Sequence, residues 1–234
     1  MKHSILGIIG GLGPETSAMF CIDVNRMFMQ HVQGQPHLVM DNLPISRAAE
    51  RRLITGGASQ EHLSLLEQSV ARLSKAGCTQ VAIPCNTVHT FIRQLRKISP
   101  VPILSIIEET AETCKRLRLG KAGVLASTRT MQDGLFTREL AKRQIGVVAP
   151  DAREQAWISG CIIRIIHNRT RRDDKGRMRR IMRKLQRAGA EGIILGCTDL
   201  PLLISPQDSG IPIVNALEAL ERAAVKSLLR GGGN

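Results

Sequence analysis

The sequence predicts an α/β fold of two pseudo-symmetric, Rossmann-like lobes, each a parallel sheet flanked by helices, with a cleft between the lobes. Three observations indicate this fold. Short, continuously apolar runs are typical of strands buried in a parallel sheet. These runs alternate with longer stretches of helical spacing, as in α/β domains. The chain has 234 residues, enough for one sizeable domain or two small lobes, and its halves resemble each other.

The clearest internal match joins residues 76–87 to residues 188–199. The segments AGCTQVAIPCNT and AGAEGIILGCTD align without a gap, and each apolar run ends at a cysteine, Cys85 or Cys197. Two further landmarks recur in the same order, GIIGG at 7–11 with GVLAS at 123–127 and VPILS at 101–105 with IPIVN at 211–215. Three repeats in register predict a duplicated half-molecule.

Amphipathic helices are predicted between the strands. Helical spacing places one apolar face on residues 60–75 and another on residues 177–187; the faces consist of Leu63, Leu66, Val70 and Leu73, and of Ile181, Met182 and Leu185. We expect an N-terminal lobe over residues 1–105, completed by a C-terminal helix over 216–230, and a C-terminal lobe over 106–215.

The two matched cysteines are candidate catalytic groups. Ligands bind beyond the carboxyl ends of parallel strands, and Cys85 and Cys197 both follow such strands. If the lobes face each other, the thiols meet across the cleft, where one can act as base and the other as acid. Asn86, Thr87 and Thr198, with N–H groups at a helix start, can hold a negative charge such as a carboxylate.

The other cysteines are expected to be structural. Cys21, Cys78, Cys114 and Cys161 have no partner in the repeat, and Cys78 aligns with Ala190. No two of the six cysteines are spaced as CxxC, so neither a zinc ribbon nor a redox pair is indicated. Dilute cysteines favour reduced thiols and a cytoplasmic location. No segment reaches the roughly 18 to 20 apolar residues of a membrane span.

The net charge of +13 raises a nucleic-acid hypothesis. Much of the excess lies in residues 164–187, but four Phe, one Trp and no Tyr provide few stacking platforms for bases. The alternative is a solvated helix face that begins near Asp173. Nucleic acid is therefore the less favoured partner.

Several motifs resemble the pyridoxal-independent aspartate/glutamate racemases. They are GIIGGLGPETS near the start, PCNTVH around Cys85, IEET at 107–110, GVLASTRT at 123–130 and GCTDL around Cys197. The resemblance implies racemisation of aspartate and/or glutamate without a cofactor or metal, in a homodimer. It places Cys85 and Cys197 as base and acid, with Asn86, Thr87 and Thr198 on the α-carboxylate.

The resemblance also suggests five further substrate-binding positions. Arg47 matches an arginine near the distal carboxylate, and His167 falls where some members use lysine. Leu12 lies in the glycine loop, at a position where the family often has Met. Thr128 lies at the pseudo-symmetric equivalent of that loop in the other lobe. Asp199 replaces the more usual Glu, one methylene longer. Because His titrates near neutrality, recognition of a distal carboxylate could differ from that of lysine-bearing relatives.

Two alternatives stay open beside this interpretation. The first is a superfamily isomerase with another substrate, such as a broad range of amino acids or a hydantoin, or maleate through a covalent cysteine adduct. The second is a basic nucleic-acid-binding protein, which would bind with steep salt dependence. The second leaves the matched thiols unexplained.

Overall fold

Two four-stranded parallel sheets form the framework of the protein. The computed structural model describes residues 4–57 and 60–231. The first sheet contains β1 (Ile5–Gly10), β2 (His37–Asn42), β3 (Gln80–Ala82) and β4 (Ile103–Leu104). The second contains β5 (Lys121–Ala126), β6 (Gly146–Val148), β7 (Gly192–Gly196) and β8 (Ile213–Asn215). The strand orders are β2-β1-β3-β4 and β6-β5-β7-β8, so the two lobes have the same topology.

The repeat in the sequence corresponds to this shared topology. The three repeated landmarks are the pairs β1 and β5, β3 and β7, and β4 and β8. All neighbouring strands are parallel, with Leu6 opposite Gln80 in the first sheet and Ala122 opposite Gly192 in the second. The predicted two-lobed α/β fold is confirmed.

Ten helices of the described residues flank the sheets. They are α1 (Pro14–Met29), α2 (Arg47–Ile54), α3 (Gln60–Lys75), α4 (Ile92–Ile98), α5 (Ile106–Arg116), α6 (Thr128–Gln132), α7 (Leu135–Ala141), α8 (Ala152–Ile166), α9 (Asp174–Arg187) and α10 (Ala216–Gly231). Short 3₁₀ turns span Thr87–Phe91, Leu200–Leu202 and Pro206–Asp208. Within this described part, no helix is long and apolar enough to cross a membrane.

The two amphipathic helices occur where the spacing predicts them. The apolar face of α3 is buried at Leu66, Val70 and Leu73, while Leu63 packs half-buried beside them. The basic helix α9 follows Asp173 and buries its apolar face, which consists of Met178, Ile181, Met182 and Leu185. Burial of its apolar face therefore stabilises each helix against the protein core, as expected for amphipathic helices.

The basic segment 164–187 makes several intramolecular contacts. Arg164 donates to both carboxylate oxygens of Asp174, from Nε at 2.9 Å and from Nη2 at 2.5 Å. The Arg177 guanidinium lies over the Trp157 ring, 4.6 Å from its centroid, at cation–π distance. Some of the positively charged side chains of this segment therefore help to pack α8 against α9.

One hydrophobic cluster continues from lobe to lobe. It contains Leu6 and Ile8 of β1 together with Val124 and Ala126 of β5. The helix α10, the predicted C-terminal helix, packs against α1 and α5 above this cluster. The lobe boundary at residue 105 stays a prediction.

Candidate active site

The two matched cysteines line one cavity between the lobes. Cys85 follows β3 by three residues, and Cys197 follows β7 directly, so both lie at the carboxyl edges of equivalent strands. The cavity measures about 440 Å³ when the open solvent at its mouth is counted, and about 30 Å³ when only the space for the centres of water-sized molecules is counted. Its lining consists of Leu12, Ile45, Glu50, Leu53, Ile54, His62, Cys85, Asn86, Thr87, Ile162, Ile166, Cys197, Thr198 and Asp199.

A buried histidine holds the backbone at Cys85. The backbone N–H of Ile106 donates to His89 Nε2 at 3.2 Å. The ring proton is therefore on Nδ1, which donates to the Cys85 carbonyl at 2.8 Å. Burial lowers the pKa of His89 to about 4, so the imidazole is neutral. His89 thus ties the cysteine loop to the first turn of α5.

Close packing positions Cys197 beside a carboxylate. At Gly196 a Cβ atom would lie 2.6 Å from Phe136 Cε2, so only glycine fits before the cysteine. The Cys197 thiol donates to Asp199 Oδ2 at 3.6 Å. Gly13 of the N-terminal glycine loop approaches the same carboxylate, since a Cβ there would lie 3.1 Å from Oδ1. Two motifs from opposite lobes therefore meet at Asp199.

The cavity favours the neutral forms of these groups. Burial raises the pKa of Cys85 to about 11, and burial with the Asp199 carboxylate raises the pKa of Cys197 well above its ordinary value. Backbone N–H groups of Val88 and Thr87 oppose the shift at Cys85. Burial likewise raises the pKa of Asp199 to about 7. Both thiols are thus protonated at neutral pH unless a cation enters the cavity.

Asn86 presents an unsatisfied polar group to the cavity. Its residue is 2% exposed, and neither its amide nitrogen nor its amide oxygen has a hydrogen-bond partner among the described residues. Buried polar side chains are nearly always paired, so an unpaired one in a cavity indicates a ligand position. Across the described ranges, no three His, Cys, Asp or Glu side chains are grouped to hold a metal ion.

Seven of the ten predicted site residues line the cavity. Three do not. Arg47 is exposed at the first position of α2. The Thr128 hydroxyl lies 2.8 Å from Ser159 Oγ, away from the cavity lining. His167 caps the end of α8, and its Nε2 is 3.4 Å from Glu50 Oε2.

Two polar residues of the lining were missed by the sequence analysis. Glu50 lies on α2, three residues after Arg47 and therefore on roughly the same face of the helix, about one turn further along. His62 lies on the buried face of α3, four residues before Leu66, and burial lowers its pKa. The helical spacing of both residues is visible in the sequence, but nothing there shows which side of the helix meets the cleft.

Comparisons with known proteins agree with this architecture. A family model described as Asp/Glu/Hydantoin racemase matches residues 9–224. The broad specificity amino-acid racemase RacX of Bacillus subtilis is 26% identical over 231 residues, covering 96% of this chain and 98% of that protein. A glutamate racemase of Cupriavidus pinatubonensis is 30% identical over 146 residues, covering 58% of this chain and 49% of that protein.

Solved structures show the same fold. The aspartate racemase of Picrophilus torridus has a TM-score of 0.81 at 24% identity, with 96% of this chain and 94% of that chain covered. A glutamate racemase from Francisella tularensis in complex with D-glutamate has a TM-score of 0.67 at 14% identity, with 98% and 82% covered. Because the family model spans most of the sequence, this chain belongs to the Asp/Glu/Hydantoin racemase family and is an isomerase of the amino-acid racemase type.

Proposed function

We propose that the protein racemises an α-amino acid without a cofactor, using Cys85 and Cys197 as a base and acid pair. The observation that supports this proposal is the position of the two thiols. They line the same cavity from equivalent strand ends of opposite lobes. Two proton-transfer groups on opposite sides of one bound carbon are what inversion at that carbon requires.

The thiolate forms when substrate is bound. The substrate's α-ammonium brings a positive charge into a cavity that otherwise disfavours a charged sulfur, and it lowers the thiol pKa values. Asp199 accepts a hydrogen bond from Cys197 and has a pKa of about 7, so its ionised form can take up the thiol proton. One sulfur then removes the Cα proton, and the other thiol donates a proton to the opposite face.

The α-carboxylate is held beside the thiols. Asn86 offers an amide without a partner, and Thr198 lines the same part of the cavity. The Thr87 hydroxyl is hydrogen-bonded to Ser127 Oγ at 2.9 Å. Thr87 therefore helps to hold the site in place and does not bind the carboxylate through its hydroxyl. Aspartate and glutamate are the substrates that the family resemblance favours, and a broad range of amino acids is the second candidate. A homodimer is a further proposal from that resemblance, and a cytoplasmic location is a proposal from the dilute cysteines.

Chiral chromatography tests this function. Purified protein without pyridoxal phosphate is incubated in D₂O with each enantiomer of a panel of amino acids. We expect interconversion and α-deuterium exchange from either enantiomer, and loss of interconversion in Cys85→Ser and in Cys197→Ser. Cys21→Ser is the matched control, because this half-buried cysteine lies outside the cavity lining. Full racemisation by either active-site variant would contradict the proposal.

A further inference from the structure

The charges around the cavity do not suit an acidic side chain. The lining contains two carboxylates, Glu50 and Asp199, and within the described part of the chain it contains no lysine or arginine. Burial lowers the pKa of His62, the one imidazole of this lining, which favours its neutral form. A substrate with a distal carboxylate would therefore bring a third negative group into a space without a lining cation, and like charges in such a space repel.

Glu50 is the carboxylate of the lining that lies beside the residues assigned to a distal carboxylate. The two basic residues assigned to substrate recognition, Arg47 and His167, lie near Glu50 but outside the cavity lining. His167 Nε2 is 3.4 Å from Glu50 Oε2, and the Glu50 side chain is 17% exposed. Burial nevertheless raises the pKa of Glu50 above its usual value, despite these neighbours. The Glu50 carboxylate is thus part of the cavity lining, and the His167 imidazole approaches it from outside that lining.

The remaining wall suits a methylene chain. Aliphatic side chains from four segments surround the same space, and they are Leu12, Ile45, Leu53, Ile54, Ile162 and Ile166. An aliphatic wall favours burial of CH₂ groups. The combination of an apolar wall and a carboxylate is complementary to a side chain with an alkyl stem and a cationic end.

We propose that the site accepts α-amino acids with a cationic side chain, of the lysine, ornithine and arginine class, and that Glu50 binds the distal cation. This inference rests on the proposed function and specifies its substrate. Glu50 also excludes aspartate and glutamate by repulsion, so one residue supplies both the attractive and the repulsive part of the specificity. Asp199 remains with Cys197 and does not serve the side chain.

The test compares lysine, norleucine and aspartate as substrates. Norleucine has a neutral alkyl side chain and lacks the lysine ammonium. For the wild type we expect kcat/KM for lysine to exceed that for aspartate at least about tenfold. In Glu50→Gln we expect kcat/KM for lysine to fall about 30-fold or more, as when one partner of a buried charge pair is removed. In the same variant, kcat/KM for norleucine should change less than about threefold, because the neutral norleucine side chain makes no contact that requires the Glu50 charge.

Glu67→Gln on α3 is the matched control, because Glu67 lies outside the cavity lining and its substitution should leave all three substrates unchanged. A wild-type preference for aspartate or glutamate overturns the inference while leaving the racemase function intact. An equal loss for lysine and norleucine in Glu50→Gln also overturns it, since Glu50 would then act on the fold. If no amino acid on the panel is racemised or exchanged, the proposed function fails and this inference fails with it.

Discussion

The hydroxyls of Thr87 and Ser127 lie 2.9 Å apart and join the two lobes beside the cavity. Ser127 also caps α6, because its Oγ accepts the Thr130 N–H at 3.2 Å, and the Thr130 hydroxyl lies 2.9 Å from the same oxygen. All three side chains are buried. The loop that carries Cys85 is therefore bonded directly to the first turn after β5 of the other lobe.

Ser127→Ala tests this bond between lobes. The substitution removes a helix cap and leaves the buried Thr87 hydroxyl with fewer partners, so we expect the free energy of unfolding to fall by about 2 kcal/mol. Urea unfolding measures the change. Ser46→Ala is the control, because Ser46 caps α2 through Ala49 N–H without a bond between lobes, and it should cost only about 1 kcal/mol. Equal losses in the two variants would argue against a stabilising interlobe bond.

Asn86→Ala should separate binding from stability. The amide has no partner in the ligand-free protein, so its removal should leave the melting temperature unchanged or slightly higher. KM should rise about 10- to 100-fold, the cost of losing a hydrogen bond to a charged carboxylate. Steady-state kinetics and thermal unfolding provide the two readouts. A large loss of stability at unchanged KM would show that Asn86 serves the fold.

Asp199→Asn should change the pH dependence of turnover. The pKa of Asp199 is about 7, and in the proposed mechanism its ionised form accepts the Cys197 proton. In the wild type, kcat/KM, which reports the pKa values of the free enzyme, should therefore fall as the pH drops below 7. Asn cannot take up a proton, so the variant should lose this acidic limb and about 100-fold in rate. If the rate of the variant still falls below the same pH, the fall must be caused by another titrating group.

His89 should make the fold sensitive to acid. Its pKa is lowered to about 4 from an ordinary 6.5, so the unfolded chain binds a proton at a pH where the native state does not. Stability is therefore lost as the pH falls from 6.5 towards 4, by up to about 3 kcal/mol. Urea unfolding across this range should show a flatter dependence for His89→Gln than for the wild type. The control His31→Gln, at an exposed site, should keep the wild-type slope.

Much of the fold could be predicted from local patterns. The strands were visible because buried parallel strands are continuously apolar, and the repeat showed that two such sets exist. The resemblance to the racemase family, stated from motifs around Cys85 and Cys197, is confirmed by the family match. Asn86 and Thr198 line the cavity because each follows the end of a strand, where topology sets the location. Leu12, which the family resemblance suggested, also lines it.

The rest of the candidate site depends on how each helix is oriented towards the cleft, and a single sequence does not show this orientation. Arg47 and Glu50 are three residues apart on α2, yet only Glu50 lines the cavity. How far along α2 the cavity reaches depends on how α2 packs against the second lobe. The family resemblance placed His167 in the site, because it falls where some members use lysine, but it lies at the end of α8, where its imidazole meets Glu50. Contacts between side chains of different lobes join residues that are far apart in the sequence. Hydrophobic periodicity along one segment does not predict such contacts.

The raised pKa values of Cys85 and Cys197 have a consequence for the resting enzyme. Oxidants and alkylating agents attack sulfur as the anion, and that anion is scarce in the empty cleft. In the proposed mechanism, the thiolate forms only while a substrate occupies the cavity. Such an enzyme can keep two nucleophiles at an open cleft and still resist chemical damage between turnovers.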